Sequence, residues 1–169
     1  MKTCTVGVSA EFGESRLPAP PFTLASRPAL WHWINDHELE ELRETLAHGN
    51  LPADFLWKLK HLAGGDLNHR FIERNCRQFA ALLLATEAGE FRDLSAAERE
   101  RLLRVLAYVR KEDDARPDYA PEGLTDDQQE VRAVLVELGG LLTAFKAWRL
   151  RHQVPGMWAD GEADARMED

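Results

Sequence analysis

Residues able to do chemistry concentrate in one stretch of this chain. Between Leu102 and Val131 it reads LLRVLAYVRKEDDARPDYAPEGLTDDQQEV. Asp114, Pro117, Asp118, Pro121, Gly123, Asp126 and Asp127 form a D-x-x-P-D-x-x-P-x-G-x-x-D-D pattern. Carboxylates at this density can hold a hard divalent cation, and Asp114, Asp118, Asp126 and Asp127 are the candidate ligands. The spacing departs from a calcium loop, because no glycine stands at the sixth position after an initial Asp and no Glu at the twelfth. The plainer reading is caps and turns. Pro117 stops a helix and pushes Arg116 to extended angles. Pro121 and Gly123 reverse the chain. Thr125 with Gln128 makes a capping box, and Asp126 and Asp127 then meet the positive end of the helix dipole.

The segment LAYVRKEDDARPDYAPEGLTDD, Leu106–Asp127, resembles the signature of the YkvA-like family of small bacterial helical proteins of unknown function. Tyr108, Asp114, Pro117, Asp118, Tyr119, Pro121, Gly123, Asp126 and Asp127 carry the likeness. Asp113, Ala115 and Arg116 stand where that family has apolar residues, and its loop tends to be one residue longer before the glycine. The resemblance implies a helix–loop–helix and assigns no activity.

Other sets offer weaker chemistry. His37, Glu41, Glu44 and His48 share one helical stripe and could hold zinc, but they lie opposite Leu39, Leu42 and Leu46 and so face water. His69, Glu73 and Cys76 form a shorter set in which Cys76 falls in an apolar pattern, the usual setting of an inert buried thiol. Arg70, Arg74 and Arg77, and then Arg99, Arg101 and Arg104, are expected to pair with nearby acids. No nucleophile elbow, phosphate loop, dinucleotide fingerprint or H-E-x-x-H motif occurs, so no catalytic or cofactor-binding residue is assigned. Trp31 and Trp33, after a Pro-rich leader, are expected to staple it to the body or to mark an interface, and Tyr119 is the third candidate interface residue.

The elements that must position these residues are helices. Residues 1–28 carry four prolines and read as an extended arm, with a short strand conceivable at Thr5, Val6 and Val8. The body, 29–158, is expected to be a single all-α bundle of about five helices: Asp36–His48, Pro52–Ala63, Leu67–Ala88, Ala96–Glu112 and Asp126–His152. Asp36, Asp66 and Ser95 with Glu98 are the expected caps. The last helix contains Gly139-Gly140, each costing about 1 kcal/mol relative to Ala, which suggests close approach of another helix or, failing that, a kink. Residues 159–169 read as an acidic disordered tail.

Composition narrows the partners. With 29 acids against 21 bases the net charge is −8, which argues against nonspecific binding to nucleic acid or anionic membrane. Two cysteines, Cys4 and Cys76, without a zinc pattern fit a reducing cytoplasm. The longest apolar run, Phe79–Ala85, is too short to span a membrane. The sequence therefore points to a non-enzymatic helical interaction or scaffold protein with a protein partner or a homo-oligomeric state. A metal-dependent or small-ligand activity on the 113–127 loop, and an acidic inhibitor or immunity-type protein covering a basic surface, are the alternatives.

Overall fold

The computed structural model describes residues 33–113, 117–120 and 122–152. The N-terminal arm, Trp31, Asp114, Pro121 and the acidic tail lie outside the described residues.

The described residues are helical, with no strand. Six helices follow in order: α1 Asp36–Ala47, α2 Ala53–Ala63, α3 Leu67–Glu87, α4 Ala96–Arg110, α5 Thr125–Glu137 and α6 Gly139–His152. Their starts follow from short polar side chains. Asn35, not Asp36, caps α1, forming a reciprocal capping box with Glu38. Asp66 accepts from Asn68 N and His69 N at the start of α3. Ser95 and Glu98 close the box on α4. Each cap is worth about 0.5–2 kcal/mol. Helix α1 ends as His48 and Gly49 turn the chain, Gly49 at a φ of +79°.

The apolar stripes meet where their spacing requires. Helix α3 is central and packs against α1, α2, α4 and α5. Ile72, Cys76, Phe79 and Leu83 of α3 are buried with Leu42 of α1, Phe55 and Leu59 of α2, Leu106 of α4 and Val131 of α5. Each such side chain contributes roughly 1.5–3 kcal/mol through its removal from water. Helix α6 docks by an aromatic cluster, with Phe91 edge-on to both Phe145 and Trp148.

The single long helix expected over 126–152 is two. Leu138 leaves helical angles at φ −110° and ψ 17°, separating α5 from α6. Leu138 N still donates to Val134 O, and Leu142 N to Leu138 O, so the bonding resumes on either side of the break. A Cβ placed on Gly139 or Gly140 would meet nothing within 4 Å. Close packing of another helix is therefore not why glycine stands there; the pair weakens the helix and the chain kinks.

Candidate functional site

The acidic loop is built around a lysine. Lys58 sits on the buried face of α2, at i+3 from Phe55, and its side chain is 7% exposed. Its Nζ lies 2.6 Å from Asp118 Oδ2 and 3.5 Å from Asp127 Oδ2. It also donates to the carbonyl of Lys111 at 2.8 Å. A buried ammonium is tolerated only when its charge and its donors are matched, and these oxygens from the loop, α5 and the end of α4 supply the match. Alongside, Tyr108 Oη of α4 donates to Asp126 Oδ2 at 2.6 Å. Asp127 is fully buried. Burial holds the Asp118 carboxyl above its usual range, against the opposing pull of Lys58.

Asp118, Asp126 and Asp127 therefore come together: Asp126 and Asp127 lie in the first turn of α5 as the spacing suggests, and their carboxyls have partners beyond the helix's own backbone. Two of them face an internal cation and the third a tyrosine hydroxyl. Among the described residues no group of three or more His, Cys, Asp or Glu side chains is arranged to hold a metal ion. Asp114, the fourth candidate ligand, lies outside the described residues.

The backbone of the loop is a run of turns. Asp118 N donates to Glu112 O, Ala120 N to Pro117 O, Gly123 N to Ala120 O and Thr125 N to Glu122 O. The chain reversal falls on Glu122, at a φ of +58°. Gly123 serves a different need, because a Cβ there would collide with Pro117 O and come within 2.6 Å of Asp118 O. Thr125 is not the N-cap. Its Oγ1 donates back to Glu122 O, Leu124 holds the cap position without a side-chain bond, and Gln128 reaches Asn68 instead. The helix begins straight out of a turn, so no extended cap residue is needed.

A second knot ties the far ends of the loop and the bundle. Lys111 Nζ donates to Trp33 O at 2.7 Å and to both oxygens of Glu38 at 3.0 and 3.1 Å. Arg101, 6% exposed, bridges α4 to α5 through Glu137 at 2.8 Å and Glu130 at 3.3 Å. Arg77 pairs with Glu73, Arg99 with Glu87, and Arg104 with Glu100. These arginines are thus engaged within the chain.

The remaining sequence candidates separate. His37, Glu44 and His48 are exposed, and Glu41 is turned to Arg110. Cys76 is buried, and burial pushes its thiol far up. Trp33 is 37% exposed, Tyr119 is 81% exposed, and Trp57 is 58% exposed with its ring tilted against that of His61. Lys58, on which the acids of the loop converge, is not among the candidates that residue type and spacing offer. Its signal was present: Phe55, Lys58, Leu59 and Leu62 follow the spacing of one buried face.

Beside the loop runs an open groove of about 490 Å³ between the start of α3 and the 118–128 segment. Asp66, His69, Asp118, Glu122 and Gln128 are among its lining residues. Leu67 and Tyr119, each 81% exposed, are not among the residues that line it. No helix among the described residues is long and apolar enough to cross a membrane. No protein-family model, curated protein or solved structure matches the chain.

Proposed function

We propose that this chain is a non-enzymatic helical interaction protein that binds a protein partner through its acidic loop and the groove beside it. One observation carries the reading. Tyr119 projects into solvent from a loop whose backbone is pinned by Lys58, by consecutive turns and by Gly123. An exposed aromatic on a pre-ordered support is an efficient anchor, since little conformational entropy is lost on binding. The likeness to the YkvA-like signature includes Tyr108, Asp118, Asp126 and Asp127, whose side chains make the buried polar contacts under the loop. A reducing cytoplasmic setting goes with this reading on the two-cysteine composition. The cation-dependent alternative draws no support from the knot, where the Lys58 ammonium stands against two of the candidate carboxylates.

The test is quantitative capture of partners by the tagged chain and by Tyr119→Ala, after both are shown to melt alike. At least one captured protein is expected to fall about tenfold in the variant, the loss of one aromatic anchor. An unchanged set of captured proteins overturns the reading.

A further inference from the structure

We infer that the chain's own acidic tail, residues 157–169, docks along the outer face of α6, with Met157 and Trp158 over Leu150 and Ala147 and its acids drawn to Lys146 and Arg151.

Helix α6 has two unlike sides. It buries Leu142 and Phe145 and sets Trp148 edge-on to Phe91. Thr143, Ala147 and Leu150, at i, i+4 and i+7, fall on the opposite side and are exposed. Lys146 and Arg151 flank them and are exposed too. Leu150 is 81% exposed. A lone exposed leucine is ordinary. This one stands between two cations, and the small side chains of Thr143 and Ala147 let another stretch of chain lie close to the helix.

Charge sets the sign of the occupant. Lys58, Arg77, Arg99, Arg101, Arg110 and Lys111 each meet a carboxylate within the bundle. Among the described residues, the side chains of Lys146 and Arg151 meet none. Arg149 instead turns inward over the Phe145 ring, 6.0 Å from its centroid, and His152 stacks on Trp148. Cations near a helix C-terminus complement its dipole, which accounts for their sign but leaves Leu150 uncovered beside them. An occupant suited to this face is acidic and carries an apolar part.

The tail has that chemistry. It reads MWADGEADARMED, opening on Met157 and Trp158 and carrying five acids to one arginine. It lies outside the described residues and begins shortly after α6 ends at His152. Pro155 and Gly156, between the two, suit a reversal of the chain. An extended chain advances about 3.3 Å per residue and a helix about 1.5 Å. A chain running back along α6 from Gly156 therefore brings Met157 level with Leu150, Trp158 level with Ala147, and Asp160 within a turn of Lys146. Tethering holds the tail at an effective concentration in the millimolar range, so a modest fit suffices. Pairing of α6 with α6 of a second copy would set Lys146 and Arg151 against like charges, and a chain at net −8 is repelled by an anionic lipid surface.

A spin label on Ala163→Cys, in the full chain with Cys4→Ser, tests the docking through paramagnetic broadening of backbone amide signals. Cys76 is buried and stays unlabelled. Loss of the Val136, Gly140 and Thr143 signals is expected, because residue 163 of a docked tail lies level with the break between α5 and α6. Lys146→Gln combined with Arg151→Gln, both at exposed positions, should restore those signals. Salt at about 1 M, where screening acts within about 3 Å, should restore them as well. Broadening confined to the last turn of α6, the mark of a tail that only trails from His152, overturns the inference. So does broadening that survives the charge substitutions or the salt. An isotope-labelled chain without the spin label, mixed with spin-labelled chain of natural isotope content, should lose no signal. Loss in that mixture overturns the inference by placing the tail on a second copy.

Discussion

Replacing Lys58 by Met tests whether the knot under the loop is ionic. Methionine keeps the aliphatic stem, so the cavity and transfer losses are small. What disappears is the counter-charge of Asp118, whose side chain is 18% exposed, and of Asp127, which is fully buried. Removing one partner from a buried ion pair costs about 3–5 kcal/mol, because the other charge is stranded. The partial exposure of Asp118 moves the expectation to the lower end, about 3 kcal/mol. With a urea slope of about 2 kcal/mol/M for a domain of this size, the midpoint should fall by about 1.5 M near neutral pH. The loss should also shrink on acidification. Stranded carboxyls have their affinity for protons raised in the folded state, so the folded variant binds more protons than the unfolded chain. Its stability therefore falls as pH rises and recovers as the carboxyls protonate. The assay is urea unfolding followed by circular dichroism, in a pH series on both proteins. A midpoint shift below about 0.5 M, or a loss that does not depend on pH, would falsify the ionic account.

Three further outcomes are expected. Gly140→Ala should stabilise the protein by up to about 1 kcal/mol in thermal or urea melts, since its Cβ meets nothing and helix propensity improves; destabilisation would mean the glycine is needed for an approach or a bend. Gly123→Ala should cost about 1–3 kcal/mol, because backbone oxygens of Pro117 and Asp118 cannot move aside cheaply; an unchanged melting temperature would show that the loop is not pinned there. Asp118→Asn should alter the pH dependence of stability. The native carboxyl sits above its usual 3.8, so wild type binds the extra proton when folded and loses stability as pH rises through the window just above that value. The Asn variant should lack that slope in pH-series melts, and identical slopes would show that Asp118 titrates normally.

The helical fold was legible because local signals and global packing agree. Asp66, and Ser95 with Glu98, cap where their residue types say they should, and the stripes of α1 to α4 bury the leucines their spacing picks out. Where the reading failed, a non-local interaction had overridden a local one. Thr125 and Gln128 have the spacing of a capping box, yet Gln128 is drawn to Asn68 across the groove and Thr125 to the turn before it. For Gly139-Gly140 the first expectation, room for a neighbour, fails and the second, a kink, matches the departure of Leu138 from helical angles. The residue pattern does not mark Lys58 as buried, because a lysine on an apolar stripe usually stretches its stem to water. Recognising it as buried requires knowing that the acids of the loop fold back onto α2, a contact no local window contains. The acids were the visible half of a pair whose other half lay far away in sequence.

That separation has a kinetic consequence. Lys58 and its carbonyl partner Lys111 stand 53 positions apart, and the carboxylates it meets are farther still. Closing so long a stretch of chain costs entropy that must be met before any of the pairing is gained. The hairpins α2–α3 and α3–α4 can assemble from near neighbours, so the ammonium should find its carboxylates after the rate-limiting barrier. Stopped-flow measurements on Lys58→Met should then show refolding close to wild type and unfolding markedly faster. The lysine would set how long the folded chain lasts and leave the speed of its formation to the helices.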